Sequence, residues 1–430
     1  MNKTFKITAY FLASVFCAVF LAGCFFHPSL PTPEERSEKV EQLIAEGGYS
    51  ASRNYPIDSI RQTWRHDGQD VAISMLAPKA PGVYPLIIYL PGLGEPADAG
   101  LLWRETWAKA GYAVFSMQPL DISEALKELA PMRGKSGDDE GSYDEDNSTD
   151  SESRPSKAVI NSELHYLGHE YFSQAALKKR ISHLLWAFAQ LKQRATANQA
   201  LFKAADLSRL IIAGYDIGAQ TTAAMIGEKV ESDLPPQAQD FRPLAAILLS
   251  PSVDLAIGGL KTRDKNISMP LLVVTGSEDD DPYGISSPYV RTAIWEYAPL
   301  GNKYLLLLNK GGHQILAGSH LSHRQNSRPA QDSGEKIEPS NAMPHVSSNN
   351  SFRGRKGGGS IGGSSGGMGR GWSSHGGRLD SERDFKHIAA VSSISTAFLD
   401  NVCKSDKFAQ SWLSGKAKQW LKKSADLKTK

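Results

Sequence analysis

Cysteine is scarce in this chain: three residues in 430, Cys17, Cys24 and Cys403, too few for a disulfide framework. Charge of one sign is scarce as well. The formal net charge is only +2, whereas nucleic-acid binding needs a concentrated basic face, so the composition argues against a nucleic-acid partner. The histidines do not fall at metal-binding spacings. His165 and His169 stand one helical turn apart but lack a nearby ligand set, so neither a metal nor any other cofactor is implied. Glycines around Gly92 lack the lysine and the spacing of a phosphate-cradling Walker loop. Long apolar runs are missing too, apart from Ile7 to Ala22, which is too short and too early for a membrane span.

What is present begins with that run. Lys3 and Lys6 give it a positive start, the pattern of an export signal. It closes on Leu21-Ala22-Gly23-Cys24, which resembles the lipobox of bacterial lipoproteins. That resemblance implies loss of residues 1–23, diacylation of Cys24, and attachment to the bacterial cell envelope through the lipid. Phe25, not aspartate, follows the cysteine, so the expected location is the outer membrane. Cys403 is then the one thiol of the mature chain and reads as an ordinary helix residue. Residues 24–56, with Pro31, Pro33 and the charged run Glu34 to Glu41, read as a tether followed by a short exposed helix.

Arg61 to Ala77 looks like hairpin strands, and from Tyr84 the text becomes a repeating strand and helix pattern. Pro85 to Leu90 is continuously apolar, as a strand covered on both faces must be. Leu101 to Ala110 follows at helical spacing, then the strand Tyr112 to Met117. The unit recurs through the helix Leu177 to Lys192, the strand Leu210 to Ala213, the helix Ala219 to Met225, the strands Ala245 to Leu249 and Leu271 to Thr275, the helix Arg291 to Tyr297 and the strand Tyr304 to Leu308. Such alternation predicts an α/β fold with a mostly parallel, doubly wound sheet over residues 57–319.

Two stretches do not belong to it. Residues 138–157 are dense in Asp, Glu and Ser and cannot repay the entropy of ordering, so they read as an acidic disordered insertion. Residues 320–384 turn to Ser, Gly and Arg and read as a second, flexible one. Order is expected to return in residues 385–430, where Ile388, Val391, Ile394, Phe398 and Val402 share one helical face that packs back onto the domain.

The chemistry concentrates in four places. Leu210 to Ala213 runs into Gly214-Tyr215-Asp216-Ile217-Gly218 and then a helix of small residues, the strand-turn-helix context of a nucleophile elbow. Side chains two before and two after the central residue would collide in so tight a turn, which explains Gly214 and Gly218. Asp279 follows the strand Leu271 to Thr275 on a loop suited to a carboxylate that orients a histidine, with Asp280 and Asp281 as near alternatives. His313 follows the strand Tyr304 to Leu308. The backbone N–H groups of Leu93 and Gly94, after the strand ending at Leu90, complete an oxyanion hole with that of Ile217.

Nucleophile position, acid and histidine in this chain order, with Tyr84 to Gly94 and the final helix, resemble the α/β-hydrolase superfamily, and within it the dienelactone hydrolase and platelet-activating-factor acetylhydrolase-like esterases. The resemblance spans roughly residues 84–420. It implies Asp216 in the nucleophile place, Asp279 as orienting acid, His313 as base, and Leu93 and Ile217 as oxyanion donors, acting on an ester or a related small or lipid-like substrate. Those esterases use serine where this chain has Asp216. A carboxylate needs no proton removed and attacks an sp³ carbon instead, as in haloalkane dehalogenases and epoxide hydrolases of the same superfamily. Dehalogenases usually carry tryptophan where this chain has Ile217, and epoxide hydrolases a His-Gly-x-Pro turn where it has Pro91-Gly92-Leu93-Gly94. The alternatives are a catalytically inactive esterase-like lipoprotein that binds a ligand or an envelope partner, and a scaffold that presents the two insertions.

Overall fold

Continuously apolar strands require a covering layer on each face, and both layers are present. The computed structural model describes residues 32–127, 129, 156–231, 233–253, 259–319 and 381–430. The expected signal segment, Cys24, and nearly all of the 138–157 and 320–384 stretches lie outside the described residues.

Nine strands form one sheet: β1 (Ile57–His66), β2 (Gln69–Pro78), β3 (Tyr84–Leu90), β4 (Ala113–Pro119), β5 (Ala205–Tyr215), β6 (Ala245–Leu249), β7 (Leu271–Glu278), β8 (Lys303–Gly312) and β9 (Ala425–Thr429). Their order is β1-β2-β4-β3-β5-β6-β7-β8-β9. The block from β4 through β8 is parallel, and β2 and β9 each pair antiparallel to it at its two flanks. The chain is therefore α/β, with a mostly parallel sheet flanked by helices.

The six longer helices among the described residues are α1 (Pro33–Ala45), α2 (Leu101–Lys109), α3 (Lys157–Tyr171), α4 (Gln174–Thr196), α5 (Ile217–Met225) and α6 (Glu382–Lys404). Alternate strand residues serve opposite layers. Ile87 and Tyr89 of β3 join Trp103, Trp107, Ile388 and Ile394, whereas Leu86, Ile88 and Leu90 join Leu184, Phe188 and Ala219. Each large apolar side chain so buried contributes on the order of 2 kcal/mol.

Two elements differ from their sequence-based reading. The N-terminal helix is not an exposed appendage. Thr32 caps α1 through a capping box with Glu35, Val40 is buried, and Leu43 and Ile44 pack against the core. The surface it covers is the outer side of α6, which is buried far beyond the one face that its apolar spacing suggests. Small residues permit this approach: a Cβ added at Gly48 would stand 2.9 Å from Ser393 Oγ. Second, the chain ends on a strand as well as on helices. β9 pairs with β8 from Tyr304↔Thr429 to Leu308↔Ala425 and covers what would otherwise be a bare sheet edge.

Candidate active site

The loops that follow β3, β5, β6, β7 and β8 all open at the carboxyl ends of the parallel strands, where open α/β sheets place ligands. These loops bring Leu93, Asp216, Ser250, Asp279 and His313 together.

Asp216 sits at φ 54°, ψ −115°, between the last residue of β5 and the first of α5. A non-glycine residue is held there only when its surroundings over-determine it. They do so through close backbone contact. A Cβ at Gly214 would fall 2.3 Å from the Gly218 carbonyl oxygen, and one at Gly218 would fall 2.0 Å from that of Leu90. Only glycine at both positions lets the turn close against β3.

The carboxylate is 1% exposed and its two oxygens differ. Oδ2 accepts the backbone N–H of Leu93 at 3.1 Å. Oδ1 is buried without a hydrogen-bond partner and lies 3.9 Å from His313 Nε2. Burial raises the Asp216 pKa above the ordinary carboxylate range, against the opposing pull of His313 and the Leu93 N–H.

His313 Nδ1 is 2.8 Å from Asp279 Oδ1. Asp279 is fully buried, which alone would raise its pKa, but Arg291, the His313 hydrogen bond and Thr275 outweigh burial and bring it down to about 2. An ionised Asp279 demands the His313 proton on Nδ1, leaving the Nε2 lone pair facing Asp216. Burial lowers the His313 pKa, yet the bond to Asp279 and its charge overcome this and raise it above the ordinary value. Asp280 and Asp281 do not take this role. Asp281 instead accepts the backbone N–H groups of Tyr283, Ile285 and Ser286, which shapes the loop beyond.

Of the expected oxyanion donors, Leu93 reaches the site and Gly94 does not. The Gly94 N–H donates to the Ile122 carbonyl at 3.0 Å, because the chain turns there at φ +76°. Ile217 opens α5 directly after Asp216, so its N–H is a first-turn donor with no intrahelical acceptor.

Three participants had no strong signal in the sequence. Ser250 Oγ lies 2.8 Å from both Asp279 Oδ1 and His313 Nδ1, and its backbone is strained at φ 50°. Its only mark was its place at the end of an apolar strand, before a proline. Arg291 is fully buried; its Nε donates to the Asp279 carbonyl and its Nη1 to those of Ser250 and Pro251. Glu95 accepts the Gly92 N–H at 2.9 Å and is half-buried, and burial pushes its pKa up to about 7 despite that bond.

An apolar cluster lies over the elbow: Leu93 and Ile217 pack with Ile122, Leu164, Phe172 and Tyr283. Phe172 is in this cluster and Tyr171 packs against it, whereas Tyr166 is 65% exposed. Cys403 is a free, buried residue of α6. Among the described residues, no helix is long and apolar enough to cross a membrane.

No known family model matches this chain, and no curated protein is significantly similar to it.

Proposed function

We propose that this chain is a hydrolase of the α/β-hydrolase fold that uses Asp216 as a carboxylate nucleophile on a small or lipid-like ester or related alkyl substrate. One observation carries the proposal: the backbone N–H of Leu93 holds one oxygen of Asp216 and leaves the other bare toward His313. The strand order, with its parallel block and the acid and base after β7 and β8, supports the same fold assignment. The envelope anchor at Cys24 belongs to this proposal and rests on the sequence of the N-terminal segment.

In the first step Oδ1 attacks an electrophilic sp³ carbon. A C–O bond forms, the bond to the leaving group breaks, and the leaving group departs with the electron pair. The product is an alkyl ester of Asp216. In the second step His313 Nε2 takes a proton from water as the hydroxide attacks the Asp216 Cγ. Negative charge then develops on Oδ2, the oxygen that Leu93 N–H already holds. Collapse expels the alcohol, which carries Oδ1 away and takes the proton back from His313; the carboxyl left behind, with one oxygen now from water, releases its remaining proton to solvent and becomes the carboxylate again. Asp279 and Ser250 keep the imidazole aimed throughout.

A single turnover in ¹⁸O-labelled water tests this. Nucleophilic attack delivers unlabelled oxygen to the first alcohol formed and label to Asp216, whereas general-base hydrolysis delivers label directly to the product. One observation favours a second reading, ligand binding without turnover: the 1% exposure of Asp216 beneath its apolar cover. Thermal stabilisation by a ligand, with no product under any condition, would select it.

A further inference from the structure

Outside this site, the described residues hold two close pairs of imidazoles. His66 Nδ1 and His183 Nδ1 are 3.0 Å apart, but His183 is 2% exposed and its Nε2 is bonded to Gln69. The His66 Nε2 in turn faces Asp67 at 3.5 Å, so both outer ring nitrogens of that pair have partners. His165 and His169 are different: they stand four residues apart on α3, both are exposed, and their Nε2 atoms are 3.0 Å apart.

The outer pair is set up for more than a shared proton. His165 Nδ1 lies 3.0 Å from the Tyr283 carbonyl oxygen, a group that can only accept, so Nδ1 carries the hydrogen and Nε2 presents its lone pair. This is the arrangement of a metal-ligating histidine, whose second ring nitrogen donates to a carbonyl or carboxylate that fixes tautomer and orientation. Close packing holds it: a Cβ at Gly284 would lie 3.2 Å from His165 Nδ1, and one at Gly168 would lie 2.6 Å from Tyr283 Cβ. The ring of His169 stands at 88° to that of His165, and its Nε2 lies within hydrogen-bond distance of the His165 Nε2.

We propose that His165 and His169 form a surface site for a divalent late first-row transition ion, Cu(II) or Ni(II). The separation selects the class. Two nitrogens 3.0 Å apart, each about 2.1 Å from one ion, subtend about 90°. That angle suits adjacent positions of a tetragonal or octahedral ion, and a tetrahedral ion such as zinc would need the nitrogens farther apart. Among the described residues no third His, Cys, Asp or Glu joins the pair to form a metal-holding group, so water completes the coordination. The site bears on the rest of the molecule through Tyr283. Metal at Nε2 makes the Nδ1–H of His165 a stronger donor to the Tyr283 carbonyl. Tyr283 packs with Leu93 and Ile217 and its hydroxyl reaches the Leu93 carbonyl at 3.4 Å, so the ion tightens the cover over the elbow.

The test is a CuCl₂ titration of the purified protein at pH 7.5, read by electron paramagnetic resonance, alongside His165→Ala, His169→Ala and the double variant. Alanine favours helix and both positions are exposed, so far-UV circular dichroism should be unchanged. The expected result is a signal split by two imidazole nitrogens in the wild type. Affinity should fall about tenfold or more in each single variant, and one equivalent should be lost in the double variant. A double variant that binds the same number of ions with the same spectrum, or a wild-type signal split by a single nitrogen, overturns the proposal. Neither readout depends on hydrolytic activity.

Discussion

The backbone N–H of Leu93 is bonded to a side-chain oxygen of Asp216, 3.1 Å away. In a serine hydrolase that donor waits for an oxygen of the substrate; here it already holds one belonging to the protein. On the proposed mechanism, the oxyanion of the second step would form on the chain's own carboxyl, and the same bond would aim the nucleophile in the first.

Asp216→Asn should abolish turnover, with a fall of about 10³-fold or more, since an amide is a poor nucleophile. The same change should stabilise the protein near neutral pH. A carboxyl whose pKa is raised on folding adds no penalty below its unfolded value of 3.8 and an increasing one as pH rises through its folded value. Thermal melts at pH 7.5 should therefore show a higher Tm for the variant, about 2–4 °C for each kcal/mol relieved. A lower Tm would contradict the assigned burial.

Asp279→Asn should cost about 10²- to 10⁴-fold in kcat and move the ascending limb of its pH profile to lower pH. The sign follows from His313, whose pKa Asp279 raises; without that carboxylate the imidazole becomes neutral, and able to accept a proton, at lower pH. Stability should change at the acid end. Asp279 is depressed from 3.8 to about 2, so it contributes stability above pH 4 that is lost as pH falls toward 2, on the order of 2 kcal/mol. Acid titration of folding, followed by near-UV circular dichroism, should show a shallower loss in the variant across that window.

Glu95→Gln should flatten the pH dependence of stability between about pH 4.5 and about pH 7. Its carboxyl is raised to about 7, so the wild type loses stability as pH climbs through that range, and glutamine keeps an oxygen to accept the Gly92 N–H without titrating. Denaturant midpoints at a series of pH values measure this; parallel curves for both proteins would refute it.

Gly218→Ala should destabilise by about 3 kcal/mol or more, because the added carbon meets the Leu90 carbonyl oxygen at 2.0 Å and neither backbone can yield without opening the sheet. Gly415→Ala is the control, since no atom lies within 4 Å of a Cβ there. Thermal unfolding of both variants separates steric conflict from the general effect of replacing glycine.

Local chemistry alone determined much of this protein. Strands continuous in apolar residues had to be covered on both sides, which is why β3, β6 and β7 were legible to within a few residues. The two glycines of the elbow marked Asp216, and the order of Asp216, Asp279 and His313 along the chain placed each after its own strand.

The remainder depended on neighbours far apart in sequence. Ser250 and Arg291 became partners of Asp279 only when β6 and β7 were paired and the stretch between β7 and β8 folded back. β9 is a strand because β8 offered an open edge, not because Ala425 to Thr429 has strong strand character. α1 was read as exposed because its cover, the outer side of α6, lies hundreds of residues away. Gly94 was lost as an oxyanion donor to a carbonyl at Ile122. Periodicity and turn chemistry act over a few residues and can be read from them; hydrogen-bond partnership and burial are settled by whichever groups the finished sheet brings within reach.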